Sequence, residues 1–287
     1  NDIASRAWWG AAFPGHPYGR PPNGTVESVA RVSADDLRSL LKRVLTRDSL
    51  KIGVVGDIDP AGAGRLIDRA FATLPPKGDL APVANATMQG IGRRIVIDLD
   101  VPQAVVTFGG LGVQRSDPDF MPAFLMTHVL GGGAFSSRLY REVRETRGLV
   151  YAIDSFLDVF EDDGRLLVYA GCSAGNAKAV AEIVREQLAF LAAHGPTSSE
   201  LTRAKTISAA QMLMGAEAPS ARAEARAGQI FLRDKLVPFD DIRARIERVT
   251  AGEVQAIAAA ALVGPACAAT IGPKVGHAAL DAFHAAS

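Results

Sequence analysis

Five histidines, His16, His128, His194, His277 and His284, are the first candidates for metal or proton chemistry. Two imidazoles can hold a catalytic zinc from one helix face when they stand four residues apart, as in H-E-x-x-H or its inverse H-x-x-E-H. No pair here has that spacing. His277 and His284 are seven apart, but no third ligand is near and the segment reads as a surface tail. His128 stands beside Val129 and Leu130 on an apolar stretch and reads as a satisfied core histidine. Cys172 and Cys267 each lie in an apolar run, far apart in sequence, so they read as buried free thiols and offer no zinc pair. A G-x-S-x-G nucleophile elbow is absent, and neither cysteine has a nearby histidine. Gly131-Gly132-Gly133 lacks the G-x-x-x-x-G-K-[ST] spacing of a phosphate loop. A glycine run between two helices either permits close backbone approach or forms a flexible surface loop, and the residues alone leave both open.

The elements that would position such groups follow from periodicity and punctuation. Ile3 to Phe13 reads as the end of a helix, followed by a Pro- and Gly-rich loop from His16 to Gly24. Ser33 and Asp36 have capping-box spacing, and Leu37, Leu40, Leu41, Val44 and Leu45 then mark the apolar face of a helix. Leu50 to Val55 is expected to be a buried strand. Asp59-Pro60 starts a helix whose buried face is Leu66, Ile67, Ala70, Phe71 and Leu74. Further on, strands are expected at Arg94–Leu99, Ala104–Phe108, Val150–Leu157 and Arg165–Cys172, the last two joined by the acidic turn Glu161-Asp162-Asp163-Gly164. Helices are expected at Phe120–Leu130, Ser136–Arg147, Ala177–Ala193, Ser199–Leu213 (with a Thr197/Glu200 capping box), Ala221–Leu232 and Asp240–Val249. Strands first and helices later give an α+β class, with helices packed on one face of a largely antiparallel sheet.

One stretch occurs twice. Arg31-Val32-Ser33-Ala34-Asp35-Asp36-Leu37 aligns with Arg248-Val249-Thr250-Ala251-Gly252-Glu253-Val254, 217 residues later. Both read as a capping box, a helix and a short strand ending in glycine, Gly56 in one case and Gly272 in the other. The pattern reads as an internal duplication. If the second copy starts near Arg93, the first would start about 125 residues upstream of Asn1. The chain, which opens without methionine, is therefore expected to be processed or truncated. Residues 1–85 would be the C-terminal part of a first α+β domain, 86–92 a linker, and 93–287 a complete second domain.

Composition narrows the function classes. The 287 residues are 48% hydrophobic and 22% charged, which excludes disorder as the main state. Thirty-one basic residues balance thirty-one acidic ones, so the electrostatic footprint of a nucleic-acid binder is lacking. No apolar run approaches the ~20 residues needed to span a bilayer.

The block Leu130-Gly131-Gly132-Gly133-Ala134-Phe135-Ser136-Ser137-Arg138-Leu139-Tyr140, continuing through Arg144 to Gly148-Leu149-Val150-Tyr151, resembles the second-domain signature of the inverzincin metallopeptidases. That family includes insulin-degrading enzyme, pitrilysin, the mitochondrial processing peptidase and bacterial two-subunit relatives. The upstream segments His16-Pro17-Tyr18-Gly19-Arg20, Gly24-Thr25 and Val54-Val55-Gly56-Asp57 resemble the later part of the family's first domain, so the resemblance covers nearly the whole chain. It implies a duplicated metallopeptidase-type α+β fold. It also implies that zinc is bound not by this chain but by a partner subunit, or by an H-x-x-E-H segment about 90 to 100 residues before Asn1 on the repeat spacing.

Carried over residue by residue, the resemblance gives Arg144 and Tyr151 a catalytic role, holding substrate near a zinc of the first-domain type. Gly131, Gly132 and Gly133 resemble the glycine-rich loop with which some members contact substrate. Arg138 reads as structural, and Arg141 and Arg147 as solvated helix-face charges. The expected function is a non-zinc partner subunit of a zinc metallopeptidase heterodimer that binds peptide substrate. Two alternatives stay open: the C-terminal part of a complete zinc peptidase, and a non-catalytic scaffold or peptide-binding protein like the core proteins of respiratory complexes. The resemblance to bacterial two-subunit members implies a periplasmic location.

Overall fold

The computed structural model describes residues 2–159, 164–233, 235–263 and 266–283, so the acidic turn residues Glu161, Asp162 and Asp163, and His284, lie outside the described residues. Two compact units form. One gathers residues 1–21, 85–209 and 243–287, the other residues 22–84 and 210–242.

The larger unit is built on a five-stranded sheet. Its strands are β1 (Arg94–Asp98), β2 (Gln103–Leu111), β3 (Val150–Val159), β4 (Gly164–Ser173) and β5 (Cys267–Gly272), in the order β1-β5-β2-β4-β3. Only the β1–β5 pair is parallel. The sheet is thus largely antiparallel and the class α+β. Every residue of β5 is buried. In β4, Gly164 to Val168 and Ala170 to Cys172 are buried, Tyr169 is half-buried and Ser173 is exposed. Strands buried on both faces need cover on both. The helices α5 (Phe120–Thr127) and α6 (Ala177–His194) pack on the sheet, with α10 (Ala251–Val263) against both of them. Further cover comes from α1 (Asp2–Ala12), where Trp8, Ala12 and the following Phe13 cluster with Leu167, Cys267 and Ala269 of the sheet and with Ala86 and Met88. The Trp8 indole N–H donates to the Cys267 carbonyl at 3.0 Å, so α1 is fixed in position as well as buried along one face. Cys172 and Cys267 are free and buried, and burial pushes both thiols up to about 11.

Residues 274–283 are not the surface tail expected from the sequence. They form a 3₁₀ helix that buries Ala279 and Leu280, and the ring of His277 is hydrogen-bonded to the Gly272 carbonyl oxygen at 3.1 Å. The apolar residues of that helix have a core to join, formed by α6 and β5, which is why it packs.

Local hydrogen bonding sets the helix starts. The side chains of Ser33 and Asp36, Thr197 and Glu200, and Thr250 and Glu253 all make the reciprocal bonds of a capping box. Glu200 does more. It lies in the first turn of α7 (Ser198–Gly215) and also takes both arms of the buried Arg138 guanidinium, at 2.7 Å each. Phe190 of α6 lies 5.0 Å from that guanidinium, its ring facing the cation. Burial alone would raise the Glu200 carboxyl, but the bonds from Arg138 and Thr197 outweigh it and hold the group at about 2.

The smaller unit contains α2 (Val26–Ala30), α3 (Ala34–Val44), α4 (Pro60–Phe71) and α8 (Pro219–Arg233). α7 and α9 (Phe239–Arg248) contribute residues to both units. Two expectations fail here. Residues 50–55 are not a strand, and the apolar faces of α3 and α4 are not buried: no residue of either helix is. The reason is physical. A strand needs a neighbour to satisfy its backbone groups, and no strand occurs among the described residues of this unit. Without a sheet among the described residues, the apolar faces of α3 and α4 stay out of a core. Segment 50–56 rests instead on α8, where a Cβ at Gly53 would fall on the Ala223 carbonyl. Among the described residues no helix is long and apolar enough to cross a membrane.

Arg138 is buried and the Glu200 side chain is only 14% exposed, so removing one partner strands the other. Arg138→Ala is expected to destabilise the protein by about 3–5 kcal/mol in denaturant titration. The pair also sets an acid limit. The Glu200 carboxyl lies below its ordinary value of 4.5 in the folded chain, so its contribution is complete above about 4.5 and lost as pH falls toward about 2. Glu200→Gln is expected to flatten the fall in stability over that window.

Candidate active site

The signature block begins where α5 ends. Its helical path continues through a wider π turn at His128–Gly132, a 3₁₀ turn at Ala134–Ser136 and a second π turn at Tyr140–Glu145. The expected helix over 136–147 is thus shorter than anticipated and is widened into a π turn over Tyr140–Glu145. His128 is buried against Phe124, and burial lowers its basicity. It is a core residue, but not a satisfied one, since its Nε2 has no hydrogen-bond partner among the described residues.

The glycine run is held against β3. A Cβ at Gly131 would stand 2.6 Å from the Ser155 backbone nitrogen, and one at Gly132 would stand 2.7 Å from the Ser155 carbonyl oxygen. At Gly133 it would lie 2.6 Å from the His128 carbonyl oxygen. Each glycine therefore has a packing reason to lack a side chain. The Ser155 hydroxyl donates to the Thr127 carbonyl at 2.9 Å, which closes the same junction. Next comes Ala134, the one non-glycine residue with positive φ (+46°) among the described residues. Ser136 and Ser137 hold this turn through bonds to the Gly133 and Ala134 carbonyls. Between them and Ala134, Phe135 is 74% exposed.

Arg144 and Tyr151 flank the next reversal. The chain turns at Gly148, whose φ of +62° suits glycine. Bonds from Gly148 N–H to the Arg144 carbonyl and from Leu149 N–H to the Val143 carbonyl fix the turn. Val143 and Val150 are buried and pin its two arms, while their sequence neighbours Arg144 and Tyr151 are exposed. The β3–β4 register shifts by one residue between Val150 and Ala152, a bulge centred on Tyr151. Such bulges re-aim a side chain, and Tyr151 is 56% exposed, with its hydroxyl 3.4 Å from that of Ser173. The Arg144 guanidinium lies 5.1 Å over the Tyr140 ring, and Phe135 meets the same ring edge-on at 5.0 Å. No hydrogen bond joins Arg144 to Tyr151 among the described residues. Each is presented separately, one on an aromatic support and one on a bulge.

Two other arginines of the block are engaged differently. Arg138 is buried with Glu200, and Arg147 pairs with Glu142 at 2.9 Å on the surface. Sequence reasoning missed Tyr140 and Phe135. The spacing of Tyr140, four residues before Arg144 on a helical path, was a usable signal. The bulge had none, because register is set by the partner strand. Among the described residues no three His, Cys, Asp or Glu side chains are grouped to hold a metal ion, so these residues do not fit zinc.

The close approach at Ser155 gives a test. Gly131→Ala is expected to cost about 1–3 kcal/mol through overpacking against backbone. Gly175→Ala, which meets open space, is expected to stay within about 0.5 kcal/mol. Thermal or denaturant unfolding of the two variants checks both values.

The family model described as "Peptidase M16 inactive domain" matches residues 31–208, more than half of the chain. An uncharacterized zinc protease of Streptomyces coelicolor is 32% identical over 267 residues, covering 91% of this chain and 58% of that protein. An uncharacterized zinc protease of Mycobacterium leprae is 32% identical over 272 residues, covering 92% and 60%. The chain thus spans about three fifths of the length of these relatives. The crystal structure of a peptidase M16 inactive domain from Pseudomonas fluorescens superimposes with a TM-score of 0.82 at 23% identity, covering 95% of this chain and 65% of that one, a likeness of fold. The family match and the identity to these relatives show that the chain belongs to the peptidase M16 family, in its inactive-domain type.

Proposed function

We propose that this chain is the substrate-holding, non-zinc half of a zinc metallopeptidase that cleaves peptides. The observation that carries the reading is the outward presentation of Tyr151, on a bulge, and of Arg144, exposed seven residues earlier at the start of the same reversal, in a chain of inactive-domain type. The zinc ligands belong, on this reading, to a homologous partner subunit. When a peptide carbonyl is attacked, negative charge grows on its oxygen. A guanidinium N–H and a phenol O–H can both donate to that oxygen, and donors positioned in advance act without reorganising. The Tyr140 ring beneath Arg144 restricts the guanidinium, and the buried Val150 restricts the strand that carries Tyr151. The chain's own contribution is therefore to bind and orient the substrate and to stabilise charge on its oxygen. Exposed Phe135 beside Tyr140 offers an apolar contact for a substrate side chain.

A second reading is favoured by length. The relatives named zinc proteases extend well beyond the matched region, so the ligands could instead lie upstream in the same polypeptide. Metal analysis separates the two: one zinc per chain in the longer gene product, purified without a partner, supports the second.

On either reading, peptide hydrolysis by the assembled enzyme is expected to fall about 10²–10³-fold in kcat for Tyr151→Phe and for Arg144→Ala, with a smaller loss for Arg144→Lys. Unchanged kcat in the first two variants would remove the proposed role.

A further inference from the structure

We propose, on the peptidase reading above, that Asp154 is a specificity-determining residue: it takes a lysine or arginine side chain of the peptide held at Tyr151. The two side chains share one face of the sheet. The Tyr151 hydroxyl lies 3.4 Å from that of Ser173. Ser173 and Tyr169 are four residues apart on β4, so both project to the same side. Asp154 pairs directly with Tyr169 across the strands, which puts its carboxylate on that side as well. Ile153 and Ser155 project the other way and are buried, Ser155 against the end of α5.

The shared face is covered at one end only. Asp154, Tyr169, Thr107 and Ala269 form a row across β3, β4, β2 and β5. Ala269 lies in the α1 cluster, and α1 packs on β5 and β2. At the β3 end Tyr151, Ala152, Asp154 and Phe156 are exposed, while Tyr169 and Thr107 are half-buried. Among the described residues no ion pair engages Asp154. Partial desolvation by the sheet is the stronger influence on its carboxyl and pushes it up, against the Ser155 backbone N–H, which favours the charged form. The next acid on this side of β3, Asp158, stands opposite buried Arg165, whose charge acts on it. Arg144 rests on the Tyr140 ring. A partly desolvated carboxylate without a counter-charge gains from a cation that arrives with the substrate. The spacing suits this. β3 rises about 3.3 Å per residue, so Asp154 stands roughly 7–10 Å along the strand from Tyr151, allowing for the bulge. Side chains on one side of an extended peptide repeat every ~7 Å. A peptide whose reacting carbonyl lies at Tyr151 therefore meets Asp154 with the side chain two or three residues away.

Peptides that differ only by Lys, norleucine or Glu at those positions test the assignment on the assembled enzyme. The Lys peptide is expected to show a kcat/KM about tenfold above the norleucine peptide, with the gap narrowing in salt. Asp154→Asn is expected to remove the gap, and Asp154→Lys to favour the Glu peptide instead, a reversal that misfolding does not produce. Tyr151→Phe, by contrast, is expected to slow all three peptides alike. If no assembly cleaves any of them, the peptidase reading fails, and the same preference is then read as the affinity of the 287-residue chain for the three peptides by fluorescence anisotropy. Equal values for the Lys and norleucine peptides in the assay used, or a Lys preference that persists in Asp154→Asn, overturns the role of Asp154.

Discussion

No side chain fits between the backbone of Gly131 and Gly132 and that of Ser155. This close approach docks the end of α5 onto β3, and the downstream path of the chain depends on it. The polypeptide leaves the glycines in a turn whose positive φ at Ala134 is maintained by two serine hydroxyls. It then passes through Arg138, held by Glu200 at the start of α7. With the glycines at one end and the ion pair a few residues on, the second π turn has little freedom. Its far end must reverse at Gly148 and re-enter the sheet as β3, the same strand against which the glycines are packed. The block is thus a closed loop of contacts that starts and finishes on one strand.

Arginine appears repeatedly in that loop, and environment separates the uses. Arg138 is desolvated and takes a bidentate carboxylate, which fixes geometry and carries a large penalty if one partner is lost. Arg147 has an exposed partner, worth little in water. Arg144 lies on an aromatic face, which supports the cation without neutralising it. A guanidinium meant to meet an incoming polar group needs that condition: restrained, charged and not already occupied by a carboxylate.

Local features were the legible part of the sequence. Capping boxes are bonds between residues three apart, so Ser33, Thr197 and Thr250 could be read directly. The two strands β3 and β4 and the long apolar face of α6 were equally plain. The failures were non-local. Leu50–Val55 has strand composition, but composition does not supply a neighbouring strand. The bulge at Tyr151 depends on how β3 pairs with β4, and the double use of Glu200 depends on a partner 62 residues away. For the site, Arg144 and Tyr151 stood out by resemblance, whereas their aromatic and strand supports became visible only in the folded chain.

The two units divide these outcomes in a consistent way. Where the sheet is complete, apolar spacing matched burial: Val180, Val184 and Leu191 of α6 are buried. Where no sheet is present among the described residues, the same spacing in α3 and α4 left the side chains out of any core. Apolar periodicity therefore reports a demand for cover, not its fulfilment. Arg144 and Tyr151 belong to the unit in which that demand is met by described residues. Their presentation follows from contacts within the larger unit alone.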